Sequence, residues 1–257
     1  MISLGPNDVH IWMADYDRID SEEILDGYRP LLDAAETAQQ GRFFQARDRR
    51  RYLVTRALVR TVLSRYAPIA PTDWMFANNR FGRPEIANDG AGAGLCFNIS
   101  HTHSLIVVGV ARDRALGIDV EKLHARDVSI DIAERFFSPR EVADLAVVPP
   151  DRQVERFFEY WTFKESYIKA RGMGLSLPLD KFSFRFPDDG RVEVAISEEL
   201  ADVPHRWMFW QFRPSPEYLV AICAERVDKQ PPKLVFRSMM PHLHEEIVAL
   251  AACRSSE

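Results

Sequence analysis

The sequence predicts an α+β fold of two similar halves, a pseudo-dimer in which each half has a small antiparallel sheet packed by helices. Three observations support this fold class. Both halves run in the same order, from helices to a hairpin and then to two strands. Both hairpins carry a Gly-Arg pair at the turn, Gly82-Arg83 and Gly190-Arg191. In both halves the second strand after the hairpin is strongly apolar, over residues 105–110 and 218–223.

The first half, residues 1–114, is predicted to open with a strand at residues 9–14 and to continue with helices from about residue 21. Apolar residues recur at four-residue spacing in the segment 45–67, and Pro68 follows it. This segment therefore predicts one long amphipathic helix. The remaining strands of this half are predicted at residues 74–76, 96–99 and 105–110.

The second half, residues 115–227, is predicted to contain two well-marked helices. A capping box from Ser138 to Glu141, with Pro139 at the first helical position, begins one of them. The other starts near residue 151 and stops at Gly172. The hairpin and the two strands that follow are predicted at residues 182–196, 207–212 and 219–224.

The last residues, 228–257, are predicted to lie outside the two halves. They begin with Asp-Lys-Gln-Pro-Pro-Lys, a run typical of a linker, and a short helix is expected at residues 241–253. Few core contacts should depend on an appendage that follows a linker. A chain ending near residue 227 is therefore expected to fold and to keep its activity.

Composition narrows the class of protein. A net charge of −5 argues against binding to duplex nucleic acid. The first residues lack the pattern of a secretory signal, and the apolar runs are too short to span a bilayer. The three cysteines form no Cys-x-x-Cys pair, which indicates reduced thiols. We therefore expect a soluble, cytoplasmic, monomeric protein that binds neither nucleic acid nor a membrane.

The run from Gly117 to Lys122 places two carboxylates at alternate positions of a strand. Asp119 and Glu121 would share one face, with Cα atoms roughly 7 Å apart. A hard cation such as magnesium, which takes oxygen ligands together with substrate phosphate, relieves the repulsion between two such groups. Ordinary surface acids on a solvated strand face are the alternative, and the pattern alone leaves both open.

A second pattern is the helical run from Trp161 to Lys169. Glu165 and Lys169 stand one turn apart on one helix face, an arrangement that a routine surface ion pair also explains. The aromatic residues around them make this helix too apolar to be largely exposed. The two charges are therefore expected to line a cleft or a protein contact.

Candidate phosphate ligands occur in one loop, one turn and one helix start. His101, next to Ser100, is a candidate for hydrogen bonding to phosphate, although a structural histidine is an alternative. Zinc binding by His101 and His103 is disfavoured because no third ligand has the expected spacing. Arg83 and the helix arginines offer the planar donor fork that suits phosphate, although a solvated basic face explains the helix arginines as well. The helix arginines are Arg47, Arg49, Arg50 and Arg51.

These residues together favour a metal-assisted phosphoryl transfer or a hydrolysis. The sequence contains no P-loop, no Rossmann fingerprint and no motif of a serine or cysteine nucleophile.

Three blocks of the chain resemble the 4′-phosphopantetheinyl transferases of the surfactin-synthetase-activating type. The likeness extends over roughly residues 8–226, and the order and spacing of the blocks match as well. The blocks are Phe-Asn-Ile-Ser-His-Thr-His at 97–103, Gly-Ile-Asp-Val-Glu-Lys at 117–122, and Phe-Phe-Ser-Pro-Arg-Glu at 136–141 continued by Trp-Thr-Phe-Lys-Glu-Ser-Tyr-Ile-Lys at 161–169.

The resemblance implies an enzyme that binds coenzyme A in the cleft between its halves. It would move the 4′-phosphopantetheine arm onto a serine of an acyl, peptidyl or aryl carrier protein and release 3′,5′-ADP. By motif match, Asp119, Glu121 and Glu165 resemble the magnesium site of the family. Glu165 is the candidate for accepting the serine proton, directly or through a metal-bound water, and Lys169 resembles the lysine near the transferring phosphate.

The resemblance also implies the ligands of coenzyme A. Arg51, and His101 with Ser100 beside it, resemble the residues that hold the 3′-phosphate, and Lys169 also belongs to the cofactor site. Arg83 replaces the usual lysine of a Gly-Lys-Pro turn, which keeps the charge but not the geometry. Lysines that the family carries upstream of the long helix are absent here, where residues 34–38 read Ala-Ala-Glu-Thr-Ala.

Two other classes of function stay open on the sequence. One is a magnesium- or zinc-dependent phosphohydrolase, and the other is a non-catalytic module that binds coenzyme A or a carrier protein. The complete set of Asp119, Glu121, Glu165 and Lys169 argues against the module.

Overall fold

The first half is built around a strand, β1 (Asp8–Asp15), and the predicted long helix, α3 (Ala46–Leu63). The computed structural model describes residues 1–123, 130–227 and 230–256. The apolar stripe of α3 is buried in a core that also holds Trp12 and Val108. The other elements of this half are α1 (Glu22–Tyr28), α2 (Ala34–Gly41), β2 (Phe76–Asn78), β3 (Pro84–Ile86), β4 (Leu95–His101) and β5 (Leu105–Arg112).

The second half is built around β6 (Leu116–Lys122) and α6 (Pro150–Arg171). The predicted capping box is present, since the side chain of Ser138 accepts a hydrogen bond from the backbone N–H of Glu141. Helix α6 ends at Gly172, whose φ of +63° is left-handed and suits a glycine after a helix. The other elements are α4 (Ile130–Phe136), α5 (Pro139–Val147), β7 (Phe182–Arg185), β8 (Glu193–Ile196), β9 (Trp207–Phe212) and β10 (Tyr218–Glu225).

Two sheets organise the chain. The first has the strand order β12-β11-β1-β5-β4 and the second has the order β13-β9-β10-β6, where β11 (Lys233–Met240), β12 (His244–Val248) and β13 (Ala252–Ser255) come from the last residues of the chain. Two short hairpins, β2-β3 and β7-β8, lie outside these sheets. Among the described strands the pairings are antiparallel, except that β1 and β11 run parallel. Helices cover both sheets, so the predicted α+β class is confirmed.

The two sheets share an apolar layer. Strand β1 alternates between cores: Trp12 faces the helices of the first half, whereas Ile11 contacts a separate cluster between the sheets. The second half supplies Ile118 and Ile222 to the same cluster. Both faces of these strands are therefore buried, and the halves are joined by a common core. The division of the chain at residue 114 stays a prediction.

The last residues of the chain do not form the predicted appendage. The helix expected at residues 241–253 is wrong, because this segment forms β12 and begins β13. Strand β11 pairs with β1, and the ring of Phe236 meets that of Phe212 with centroids 4.5 Å apart. Strand β13 pairs with β9, and Arg254 Nη2 lies 3.2 Å from Glu159 Oε1. The tail thus packs on both halves, which reverses the expectation that it is dispensable.

None of the helices in the described ranges has the length and apolar character that crossing a membrane requires.

Candidate active site

Close packing of α6 on β6 positions the candidate site. Gly117 of β6 lies directly against the helix: a Cβ there would stand 1.9 Å from the carbonyl oxygen of Ser166 and 2.3 Å from the backbone nitrogen of Ala170. Only a residue without a side chain permits this approach. Because alternate residues of a strand share a face, Asp119 lies on the same side of β6 as Gly117, where the last turn of α6 carries Lys169.

Lys169, Asp119 and Ser100 form a hydrogen-bonded triangle between the two halves. Lys169 Nζ donates to Asp119 Oδ1 at 2.6 Å and to Ser100 Oγ at 2.9 Å. Ser100 Oγ in turn donates to Asp119 Oδ1 at 3.0 Å. The carboxylate of Asp119 is almost completely buried, whereas the side chain of Lys169 is 25% exposed. The ammonium group therefore remains within reach of a ligand, and the charged hydrogen bonds hold it in place.

The strand that carries Ser100 is joined to β6 by side chains rather than by a backbone ladder. Asn98 Oδ1 accepts a hydrogen bond from the backbone N–H of Ile118 at 2.8 Å. Ser100 Oγ accepts from Val120 at 3.2 Å, and Thr102 Oγ1 accepts from Lys122 at 3.3 Å. These three hydrogen bonds at alternate positions fix the register between the two strands, and with it the position of Asp119 relative to Ser100.

Sequence reasoning missed the roles of Asn98 and Thr102. The signal was present in the sequence, because Asn98, Ser100 and Thr102 occupy alternate positions at the end of β4 and just beyond it. Each buried backbone N–H of β6 needs an acceptor, and this alternation supplies one at each step.

Glu165 lies on α6 one turn before Lys169, next to Asp119. Burial, together with the negative charge of Asp119, raises the pKa of Glu165 to about 7, although the positive charge of Lys169 acts in the opposite direction. The second oxygen of Asp119, Oδ2, is buried and has no hydrogen-bond partner among the described residues. Two acidic groups thus meet in a poorly solvated place, and one of them has an unsatisfied oxygen.

This arrangement fits a magnesium ion. Over the described residues, no group of three or more His, Cys, Asp or Glu side chains is gathered closely enough to hold a metal ion as the side chains stand. A divalent cation would nevertheless give Asp119 Oδ2 its missing partner and would offset the cost of ionising Glu165. Both groups are oxygen donors, as magnesium prefers. Glu121 lines the adjoining cavity, so a third carboxylate is close at hand.

A cavity of about 360 Å³ opens beside the triangle and contains the predicted anion ligands. Arg51 and His101 both line it, together with Ser100, Glu121 and Lys169. Burial lowers the pKa of His101, and the positive charge of Arg51 lowers it further by a smaller amount. The remaining lining residues are Phe43, Tyr52, Thr55, Arg56, Ile99, Asp119 and Val120. The lining thus combines cationic and neutral hydrogen-bond donors with carboxylates, which suits a ligand that carries phosphate groups.

A second cavity, of about 280 Å³, lies on the other side of Lys169 and is lined by Glu165, Phe81 and Arg83 among others. Arg83 Nη1 donates to the backbone carbonyl oxygens of Lys169 and Ala170, at 3.1 and 3.3 Å. The guanidinium group therefore contacts the end of α6, a contact that the sequence did not predict.

The other arginines at the start of α3 are used within the first half. Arg50 Nη2 lies 3.0 Å from Asp17 Oδ1, and Arg47 Nη2 lies 3.5 Å from Asp17 Oδ2. Arg49 Nη1 donates to the carbonyl oxygens of Phe43 and Phe44, each at 2.9 Å. Arg51, whose Nη2 lies 3.0 Å from Asp48 Oδ1, is the member of this group that lines the cavity beside Lys169.

Comparisons with known proteins match both halves of the chain to one family. Residues 115–223 match the family described as "4′-phosphopantetheinyl transferase superfamily", and residues 21–112 match "4′-phosphopantetheinyl transferase, N-terminal". The chain is 38% identical to 4′-phosphopantetheinyl transferase ffp of Bacillus subtilis, over 82% of this chain and 90% of that protein. It is 35% identical to 4′-phosphopantetheinyl transferase Sfp of Bacillus subtilis strain 168, with the same shares of 82% and 90%.

A cyanobacterial relative extends the likeness. The chain is 34% identical to 4′-phosphopantetheinyl transferase HetI of Nostoc sp., over 68% of this chain and 73% of that protein. Both halves of the chain are thus matched, and the relatives are matched over most of their length. The chain belongs to the 4′-phosphopantetheinyl transferase superfamily and is a transferase enzyme.

Proposed function

We propose that this enzyme transfers the 4′-phosphopantetheine arm of coenzyme A to a serine of an acyl or peptidyl carrier protein, with release of 3′,5′-ADP. The observation that carries the proposal is that Asp119, Glu165 and Lys169 lie close together, while Asp119 and Lys169 line one cavity with Arg51 and His101. Family membership supports the same reaction. The acceptor serine belongs to the carrier protein, which accounts for a sequence without a nucleophile motif.

The 3′-phosphate of coenzyme A is assigned to Arg51 and His101 in the cavity of about 360 Å³. A guanidinium and an imidazole can each donate a hydrogen bond to phosphate, and the charge of the guanidinium strengthens its bond. Ser100 and Lys169 line the same cavity beside Asp119, where the pyrophosphate would approach the carboxylates. A phosphate close to His101 would raise the pKa of that imidazole, against the lowering by desolvation and by Arg51.

Magnesium would be held by Asp119 and Glu165, with Glu121 as the third carboxylate. When bound, it supplies positive charge that neutralises the pyrophosphate and favours departure of the nucleotide. Lys169 Nζ, already held by Asp119 and Ser100, places a second positive charge where negative charge develops on the transferred phosphate.

The chemical step is a displacement at the β-phosphorus of coenzyme A. The serine Oγ forms a bond to that phosphorus, and the bond from phosphorus to the bridging oxygen of the pyrophosphate breaks. Glu165, which stands one helical turn from Lys169 on α6, takes the serine proton, directly or through a water. The products are the phosphopantetheinyl carrier protein and 3′,5′-ADP.

The test is a mass measurement on an apo carrier protein. The carrier should gain the mass of the phosphopantetheine arm when enzyme, coenzyme A and magnesium are all present, and Asp119→Ala should abolish the gain. A release of phosphopantetheine into solution without a carrier adduct would instead identify a hydrolase. Binding of coenzyme A without any product would identify a binding module. Assays against a panel of carrier domains would then define the acceptor.

The cellular setting is part of the same proposal. Cys96, Cys223 and Cys253 are free thiols, as expected for a protein of the reducing cytoplasm. We expect the enzyme to act there as a monomer, and light scattering of the purified protein tests the oligomeric state.

A further inference from the structure

The turn between β2 and β3 of the first half rests against the end of α6 in the second half. Asn79 Oδ1 accepts hydrogen bonds from the backbone N–H groups of Phe81 and Arg83, at 2.9 and 3.0 Å. The amide nitrogen of the same side chain donates to the carbonyl oxygen of Gly172 at 3.0 Å. Asn79 therefore shapes the turn and fastens it to the residue that ends the helix.

Arg83 makes the second contact across this junction. Its Nη1 donates to the carbonyl oxygens of Lys169 and Ala170, at 3.1 and 3.3 Å. The last turn of a helix has carbonyls without partners inside the helix, and a positive charge there is favourable. Gly172 lies so close that a Cβ in its place would be 3.3 Å from both Cδ and Nη1 of Arg83. The guanidinium group is therefore packed against the helix end.

These contacts act on the backbone of a residue whose side chain belongs to the candidate active site. The carbonyl of Lys169 accepts from Arg83, while Nζ of Lys169 donates to Asp119 and Ser100. Lys169 is thus held at both ends, and its backbone end is held by the first half of the chain. A shift of this last helical turn would move the ammonium group relative to Asp119.

We propose that Arg83 is a positioning residue that fixes Lys169 through its backbone, in place of the phosphate ligand that the turn motif suggests. The role of Lys169 beside the transferred phosphate rests on the proposed transferase reaction. Nη1 of Arg83 is committed to two helix carbonyls, and its Nε is buried without a partner among the described residues. Turning the guanidinium toward a phosphate would leave both helix carbonyls without this donor.

The test begins with hydrogen exchange of the ligand-free protein, because that measurement needs no activity. Arg83→Ala should speed exchange in the last turn of α6, residues 169–172, by tenfold or more, while exchange in α3 stays as in the wild type. Arg80→Ala is the matched control. Arg80 is an exposed cation of the same turn, and its guanidinium lies over the ring of Phe81. The control should leave exchange in α6 unchanged.

Kinetics then separate positioning from phosphate binding. For Arg83→Ala we expect kcat to fall tenfold or more, with the Kd for coenzyme A changed by less than threefold. If Arg83→Ala does not fold, Arg83→Lys replaces it in both measurements. A lysine keeps the charge but is one bond shorter, so we expect faster exchange in α6 and a lower kcat for this variant as well.

Two results would overturn the proposal. One is unchanged exchange at residues 169–172 in the ligand-free variant. The other is a Kd for coenzyme A raised tenfold or more while kcat at saturating coenzyme A stays normal, which would make Arg83 a phosphate ligand. A wild-type enzyme that modifies no carrier protein would refute the proposed function instead, and the exchange result would stand apart from it.

Discussion

Replacing Glu165 by glutamine tests whether the buried negative charge of Glu165 lowers the stability of the metal-free protein, a loss that a metal ion would offset. Burial and the charge of Asp119 raise the pKa of Glu165 from 4.5 to about 7 in the metal-free protein. In the unfolded chain the carboxyl group ionises at its ordinary pKa. The folded protein therefore binds the proton more tightly than the unfolded protein, and folding is weakened progressively as the pH rises from about 4.5 to 7.

The size of the effect follows from this shift. At about 1.4 kcal/mol per pKa unit, a rise from 4.5 to about 7 corresponds to a loss on the order of 3 kcal/mol above pH 7. Because the side chain is partly exposed, solvent screening reduces the expected loss of stability to about 2 kcal/mol. Glu165→Gln removes the charge, so the variant should be more stable than the wild type at pH 8 and equally stable at pH 4.

The assay is urea unfolding at pH 4 and pH 8 in the presence of a chelator. Exposed Glu23 on α1 provides the control Glu23→Gln, which should change stability little at either pH. Magnesium at pH 8 should then stabilise the wild type more than Glu165→Gln, because the variant lacks one ligand. Equal stabilities of wild type and Glu165→Gln at pH 8, or a gain as large at pH 4 as at pH 8, would refute the reasoning.

Three further predictions concern the fold and the cavity that Arg51 and His101 line. Arg51→Ala should cost about 1.5–3 kcal/mol in binding of coenzyme A and much less in binding of dephospho-coenzyme A; equal losses in calorimetry would place Arg51 away from the 3′-phosphate. A chain ending at residue 227 loses strands from both sheets and should be insoluble or much less stable; a truncated protein that melts like the full chain would contradict the observed packing. Gly117→Ala pushes a Cβ into the backbone of α6 and should destabilise the protein and lower transfer, whereas Gly190→Ala, with nothing within 4 Å, should do neither; similar melting temperatures for the two variants would show that α6 does not press on β6.

Local patterns predicted the residues of the site that share an element. Asp119 precedes Glu121 at strand spacing, and Glu165 precedes Lys169 at helix spacing, so each pair could be assigned a common face from the sequence. The family resemblance then joined the two pairs. The structure adds the physical reason for the first motif, since Gly117 is the point where α6 touches β6.

Contacts between distant segments could not be read from local patterns. The guanidinium of Arg83 meets the carbonyl of Lys169, 86 residues along the chain, and nothing in the turn specifies that partner. The tail was misjudged for the same reason. Proline residues suggested a linker, and the ensuing strand β11 finds its partner in β1, at the opposite end of the sequence. Strand pairing across such distances depends on which edges the fold leaves open.

A double-mutant comparison of transfer rates tests whether Asp119 and Glu165 act as one unit. Asp119→Ala and Glu165→Ala should each lower kcat/KM by on the order of 100-fold or more, because each removes a group on which the other depends. Circular dichroism should show that both variants remain folded. The kcat/KM of the double variant should lie within about threefold of that of the less active single variant. Losses that multiply in the double variant, or either single variant with near-normal transfer at saturating magnesium, would contradict this expectation.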